Sequence, residues 1–85
     1  MHLGNRPGWV GVFSTDEAPG AMRNGTRIVK SAKDPGDARG IGATGTVLGS
    51  LSDPEWGLCY FIEWDSQPRV AVAVIAWKVQ PLKVQ

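Results

Sequence analysis

Apolar and polar side chains alternate along two neighbouring segments of the chain, Leu58–Asp65 and Arg69–Ile75. Both segments are rich in β-branched and aromatic residues, which favour pleated strands. A helix of useful length needs about 10–12 residues without Gly or Pro. Only residues 58–67 and 69–80 meet that condition, and both read as strands, so the pattern predicts an all-β fold.

The two segments predict a hairpin whose register follows from its faces, because a slip of one residue moves every side chain to the opposite face. A loop of three residues, Ser66–Pro68, or a longer loop of the same parity, keeps one face wholly apolar. That register pairs Trp64 with Val70, Ile62 with Val72 and Tyr60 with Val74. We expect this inner face to form the core.

The outer face of the same hairpin is charged near the turn and apolar at its other end. The apolar end consists of Cys59, Phe61, Ala71, Ala73 and Ile75. Small alanines let another surface approach closely, and burying Phe61 and Ile75 is worth about 1.5–3 kcal/mol for each side chain. Either the N-terminal arm covers this patch, or a second subunit does, or the patch stays exposed. In the first case Trp9, Val10, Val12 and Phe13 supply the cover.

The remaining elements are short and separated by turn signals, as expected for a chain with 11 Gly and 6 Pro. Strands are predicted at Thr26–Ser31, Thr46–Leu51 and Val79–Val84, with a 3₁₀ turn at Ala76–Lys78. Five short strands indicate a small barrel or sandwich. Residues 1–24 form an irregular arm, with at most a short strand, and residues 25–85 form the barrel domain. Gly40–Gly45 has the spacing of a dinucleotide motif, but a strand follows it where that motif needs a helix, which favours a loop.

Charge and composition narrow the candidate chemistry. The formal net charge is +1 and the pI about 7.9, which does not suggest a phosphate-binding surface. A single cysteine, Cys59, excludes an internal disulfide, and with one histidine, His2, the chain cannot build a Cys/His zinc cage. We therefore predict no metal, no cofactor and no catalytic residue. The longest apolar run, Val70–Trp77, is shorter than a membrane span, and no secretory signal is visible, so a cytoplasmic protein is expected.

Four tryptophans are the most distinctive residues. Trp64 is expected in the core, and Trp77 against the end of the barrel. Trp56 lies in a turn-rich loop and Trp9 in the arm, and both are candidate binding residues because an exposed Trp suits an extended peptide or a stacked base. For nucleic acid, Arg39 with Lys30 or Lys33 would contact phosphate.

The order of motifs resembles small SH3-like β-barrels. It runs Gly25-Thr-Arg-Ile-Val, a long loop, Gly45-Thr-Val-Leu-Gly49, Tyr60-Phe-Ile-Glu-Trp-Asp65, Val70–Val74 and Trp77-Lys-Val-Gln-Pro-Leu82. This resemblance implies a five-stranded barrel with a 3₁₀ turn before the last strand. The segment from Gly25 to Gly49 also resembles the KOW element of ribosomal and transcription-elongation proteins. The chain as a whole also looks like the orphan proteins carried on mobile elements such as integron gene cassettes.

The chain is also similar to the plasmid-encoded type of dihydrofolate reductase, an SH3-like barrel of comparable length that works as a tetramer. The pore strand of that family carries Val-Gln-Ile-Tyr, whereas Val70-Ala-Val-Ala73 here lacks the Gln and the Tyr. Folate chemistry is therefore not implied for this chain. The comparison does show that a barrel of this kind can oligomerise through its sheet.

The leading hypothesis from the sequence is a non-enzymatic binding or assembly module that self-associates through the apolar outer patch. The expected partners are copies of the same chain, with a peptide or protein as a further class and no membrane. A nucleic-acid-binding barrel is the alternative. An oligomeric enzyme with its site between subunits is a third possibility, in which Glu63 and Asp65 would do the acid–base work.

Overall fold

The fold is known from a computed structural model that describes residues 3–83. Its elements are β1 (Arg27–Lys30), β2 (Thr44–Asp53), β3 (Gly57–Trp64), β4 (Val72–Ile75), the 3₁₀ turn η1 (Ala76–Lys78) and β5 (Val79–Pro81). The strands form one antiparallel five-stranded sheet in the order β4-β3-β2-β1-β5. The all-β prediction and the 3₁₀ turn before the last strand are confirmed. Closure into a barrel is not shown, because this pairing leaves β4 and β5 as the two ends of the sheet.

The predicted hairpin register is confirmed. Ile62 pairs with Val72 and Tyr60 with Val74, as the apolar faces require. The connection is longer than three residues, because Arg69 turns with a positive φ of 64° and its N–H donates to Glu63 Oε2 at 2.9 Å. Val70 pairs with the arm instead of with Trp64, so β4 begins only at Val72.

The core lies on the inner face of the sheet. It consists of Ile28, Val47, Tyr60, Ile62, Trp64, Val74 and Val79. Trp64 is only 1% exposed, which confirms its predicted place. The Tyr60 hydroxyl reaches the edge of this core, where it accepts a hydrogen bond from the Met22 N–H at 2.9 Å.

The N-terminal arm crosses the outer face with residues 10–16, and its later residues Ala21 and Met22 pack against the inner core. At one end the Val10 N–H donates to the Arg69 carbonyl at 2.7 Å, and the Val10 carbonyl accepts from the Ala71 N–H at 2.9 Å. Further along, the Ser50 N–H donates to the Asp16 carbonyl at 2.8 Å. Between these contacts Phe13 is buried. The arm therefore makes isolated bridges and no strand of its own within the described residues.

Trp77 was expected to pack against the end of the barrel, and this expectation is wrong. Its side chain is 55% exposed, and the Lys78 Nζ lies 5.5 Å from the centre of its ring. No side chain of η1 is fully buried, but Ala76 packs against the core where this turn connects the two ends of the sheet. His2 and Val84 lie outside the described residues.

Candidate functional site

An apolar groove runs along the outer side of β4. Trp56, Cys59, Ala73, Val74 and Ile75 line it, and its volume is about 210 Å³. We call it the Trp56 groove. It joins two predictions made separately from the sequence, a binding tryptophan in a loop and an apolar patch on the hairpin. Trp56 remains 60% exposed, and Ala73 is exposed beside it.

The local sequence holds Trp56 at the mouth of this groove. Asp53 Oδ1 accepts hydrogen bonds from the N–H groups of Glu55 at 2.8 Å and Trp56 at 2.9 Å. An aspartate that binds the backbone two and three residues further on is typical of a tight turn. Gly57 then returns the chain to β3 with a φ of 77°. Trp56 therefore lies in a tight turn that joins β2 to β3 and is held in place by these hydrogen bonds.

The arm divides the outer patch into a covered and an open half. Phe61 is buried, and it pairs across the strands with Gly49, over which the arm passes at Ser14. Ala71 bonds to Val10 of the arm. Of the predicted interface residues only Phe61 is buried, and three of the accessible ones, Cys59, Ala73 and Ile75, line the groove.

The two ends of the sheet differ in how they are protected. An edge strand offers free N–H and C=O groups to another chain, and proteins commonly block it with lysine, proline or a bulge. β5 ends in Pro81 and lies between Lys78 and Lys83. β4 has the sequence VAVI, without a charge or a proline, and it forms one wall of the groove. The unprotected edge and the open apolar half of the patch therefore coincide.

Among residues 3–83, Cys59 is the only ionisable side chain that lines the groove. Partial burial, with the neighbouring Asp53 carboxylate as a smaller cause, raises the pKa of its thiol. The thiol therefore stays protonated at neutral pH and adds apolar surface to the groove.

A cluster of charges lies on the far side of β4, in the loop after β1 and at η1. Asp37 accepts hydrogen bonds from Lys78 Nζ at 2.9 Å and from Lys30 Nζ at 3.3 Å. The Lys78 contact, with a smaller contribution from the Asp34 N–H, lowers the pKa of Asp37 to about 2. Lys30 is buried, with a side chain only 5% exposed. The sequence did not predict this cluster, because Lys78 is distant along the chain from Lys30, Asp34 and Asp37 and joins them only in the fold.

The other predicted binding residues lie elsewhere. Trp9 packs in the arm with its ring centre 5.4 Å from that of Phe13. Arg39 hydrogen-bonds to Gln67 Oε1. Neither residue lines the Trp56 groove.

Within residues 3–83 there is no group of three or more His, Cys, Asp or Glu side chains that could hold a metal ion. The same residues contain no helix with the length and apolar character needed to cross a membrane. Comparisons with family models, with curated proteins and with solved structures found no match to this chain. The groove and the charge cluster are therefore the features of the molecule from which we infer a function.

Proposed function

We propose that this chain is a non-enzymatic binding or assembly module that associates with a second copy of itself through the Trp56 groove. The observation that carries the proposal is an exposed tryptophan over an apolar groove whose wall is an unprotected edge strand. Aromatic residues are enriched in the buried centres of protein interfaces. The small SH3-like barrel, the mobile-element origin and the cytoplasmic location belong to the same proposal. Five antiparallel strands with a 3₁₀ turn before the last are in keeping with the barrel.

Two features favour a second copy as the occupant. The strand β4 carries no charge, so two copies can approach edge to edge without like-charge repulsion, and the whole chain carries only +1. Ala73 is exposed at the centre of the groove wall and is small enough to let another chain come close. Pairing of β4 with its counterpart would satisfy free backbone groups and bury both copies of Trp56 and Ile75.

The nucleic-acid alternative has weaker support. Lys30, which would contact phosphate, is buried and bonded to Asp37, and Arg39 is bonded to Gln67. Trp56 could stack a base, but the groove beneath it is apolar and carries no basic side chain. Single-strand binding sites combine stacking residues with a positively charged channel.

The first test is the absolute mass in solution, measured by size-exclusion chromatography with light scattering at several concentrations. We expect a stable multiple of 9.1 kDa for the natural chain. Ala73→Glu places a carboxylate in the groove wall and should return the mass to that of a monomer while leaving the circular dichroism spectrum unchanged. Gln80→Glu is the matched control, because it adds the same charge on the opposite edge strand, where residue 80 is exposed. It should not change the mass.

Cys59 supplies an independent readout from inside the groove. If two copies cover the groove, a thiol reagent should modify Cys59 more slowly as the protein concentration rises, and Ala73→Glu should abolish this dependence. A chain that stays at 9.1 kDa at every concentration, with Cys59 modified at a constant rate, contradicts the proposal. In that case the groove would be open to an extended peptide of another protein.

A further inference from the structure

The N-terminal arm covers one end of the sheet edge to which β4 belongs. Val10 forms a parallel bridge with Val70, just before β4 begins. The Val10 N–H donates to the Arg69 carbonyl at 2.7 Å, and the Val10 carbonyl accepts from the Ala71 N–H at 2.9 Å. These are the hydrogen bonds of an added strand, but the arm adds only one residue. Among residues 3–83, β4 itself pairs with β3 alone.

The open part of this edge continues directly from the covered part. Residues two apart in a strand direct their main-chain N–H and C=O groups to the same side. Because the Ala71 N–H is directed to the arm, the main-chain groups of Ala73 are directed to the same edge, away from β3. Ala73 is also the exposed residue in the wall of the Trp56 groove. The arm and a second copy would therefore occupy neighbouring positions on one edge.

The part of the arm that touches the edge is a loop that packs on itself. Gly4 and Phe13 exchange two main-chain hydrogen bonds, at 3.2 and 3.1 Å, which close residues 5–12 into a loop. We call these residues the arm loop. Within it the ring centre of Trp9 lies 5.4 Å from that of Phe13, and the Arg6 guanidinium lies 5.3 Å from the same ring. The loop is thus anchored at Phe13, which is buried, independently of its contact with the edge.

The contact between the arm loop and the edge is small. The Val10 side chain is 66% exposed, so the contact depends on the two main-chain hydrogen bonds and on little apolar burial. Gly11 then turns the chain away from the edge with a φ of 103°. A β-carbon at Gly11 would be 2.8 Å from the Ala71 carbonyl oxygen. A contact with so few buried groups can open locally while the sheet stays folded.

The arm loop protects part of the edge in a way that natural proteins commonly use, by covering it. A second strand that pairs along the whole edge would need the Ala71 N–H, which the Val10 carbonyl already holds. With the loop in place, only residues 72–75 are open to a partner. With the loop released, Val70 and Ala71 become available as well, and Ala71 belongs to the apolar patch predicted as the interface.

We propose that the arm loop is an autoinhibitory cover of the β4 edge, which competes with a second copy for Ala71 and so limits self-association. This inference rests on the proposed function and concerns the regulation of the same site. Release of Val10 lengthens the edge that a partner can pair with. The apparent affinity of a protein for its partner falls with the fraction of molecules in the competent state, so the docked loop weakens association.

Gly11→Ala tests the inference, because the added β-carbon would meet the Ala71 backbone at a positive φ that alanine adopts poorly. Gly8→Ala is the matched control. It lies in the same loop with a φ of 80°, but its β-carbon would meet only the end of the Arg69 side chain, at 4.0 Å. Sedimentation equilibrium at several concentrations gives the Kd of self-association. We expect Gly11→Ala to lower this Kd about tenfold, as the loss of two main-chain hydrogen bonds allows. Gly8→Ala should leave it unchanged.

Hydrogen exchange shows whether the substitution releases the loop alone. The Ala71 amide should exchange faster in Gly11→Ala, while the Val47 amide, which donates to the Thr26 carbonyl at 3.0 Å, should stay protected. Val10→Pro is the second variant, and it carries the test if Gly11→Ala does not fold. It removes the N–H that donates to Arg69 and changes an exposed side chain. It should lower the Kd about threefold.

Three results overturn the inference. The first is an unchanged Kd in a variant whose Ala71 amide has lost its protection. The second is a higher Kd, because the arm loop would then belong to the interface. The third is an Ala71 amide that stays protected in both variants, because the loop would then not dock through Val10.

The same measurements separate this inference from the proposed function. If Ala73→Glu dissociates the natural chain but release of the loop changes nothing, the proposed function stands and the inference fails. If the natural chain is a monomer while Gly11→Ala associates in a way that Ala73→Glu reverses, the proposed function fails for the natural chain and the inference stands. Monomers in the natural chain and in both loop variants overturn both.

Discussion

The backbone carbonyl of Ser14 lies directly over Gly49, so close that a β-carbon at residue 49 would be 1.7 Å from the Ser14 oxygen. The obstructing atoms belong to the backbone, with the Ser14 carbonyl carbon at 2.7 Å and the Thr15 Cα at 3.0 Å. They cannot rotate away as a side chain can. The absence of a side chain at Gly49 is therefore the condition for the arm to cross the sheet where it does.

Gly49→Ala should detach the arm or strain the sheet. We expect a loss of about 1–3 kcal/mol in the free energy of unfolding, the usual range for overpacking. Hydrogen exchange should accelerate at the Val10 and Ala71 amides, because both make the hydrogen bonds that dock the arm. Gly40→Ala is the control, since a β-carbon there meets nothing within 4 Å. A Gly49→Ala variant with natural stability and protected amides would show that the arm does not lie on Gly49.

A second prediction concerns the link between Tyr60 and the end of the arm. Tyr60→Phe keeps the buried ring but leaves the half-buried Met22 N–H without its acceptor. We expect a loss of about 1–3 kcal/mol in the free energy of unfolding, measured by urea titration. The Met22 amide should also exchange faster. Thr26→Val removes the bond that an exposed hydroxyl donates to the Arg23 carbonyl, and its effect should be smaller. Equal losses in the two variants would contradict the assigned role of Tyr60.

The register of the β3–β4 hairpin could be predicted because it depends on a period of two residues. Placing Tyr60 and Ile62 on one face with Val72 and Val74 leaves only one parity for the loop. The late start of β4 could not be predicted, because it results from a single bridge between Val10 and Val70. No local sequence pattern predicts such a contact. The exposure of Trp77 could not be predicted either, since the direction of a side chain in a short 3₁₀ turn depends on what surrounds it.

The candidate sites were only partly visible in the sequence. Cys59, Ala73 and Ile75 share a face through strand alternation, and Trp56 stood out as an aromatic residue in a loop. That they form one groove follows from the Asp53 turn that holds the loop over the face. The charge cluster could not be predicted, because Lys78 joins Lys30 and Asp37 only through the pairing of β1 with β5.

A third prediction concerns the reactivity of Cys59. Because partial burial raises the pKa of its thiol above the ordinary 9.0, little thiolate is present at neutral pH. The rate of alkylation by iodoacetamide should therefore reach half its maximum above pH 9 in the folded chain, and at a lower pH in the urea-unfolded chain. A folded chain that reacts with the same pH midpoint as the unfolded chain would mean that the groove does not withdraw Cys59 from water.

The last prediction concerns stability in acid. Asp65 accepts hydrogen bonds from Arg27 Nη1 at 2.7 Å and from Thr44 Oγ1 at 2.6 Å. The Arg27 contact, followed by that of Thr44, lowers the pKa of Asp65 from 3.8 to about 2 in the folded state. A carboxyl with a lowered folded pKa stabilises the fold at pH values above its unfolded pKa. That stabilisation is lost as the pH falls through the folded value.

The natural chain should therefore lose stability between about pH 4 and pH 2, with Asp37 contributing in the same direction. Asp65→Asn should lower the free energy of unfolding at pH 6 by less than about 1 kcal/mol, because the ion pair with Arg27 is half exposed. The difference between variant and natural chain should shrink toward zero at pH 2, and also at high salt. Glu55→Gln, at an exposed carboxylate in the β2–β3 loop, is the control and should leave the acid transition unchanged. A constant difference from pH 6 to pH 2 would mean that Asp65 acts through its shape and not through its charge.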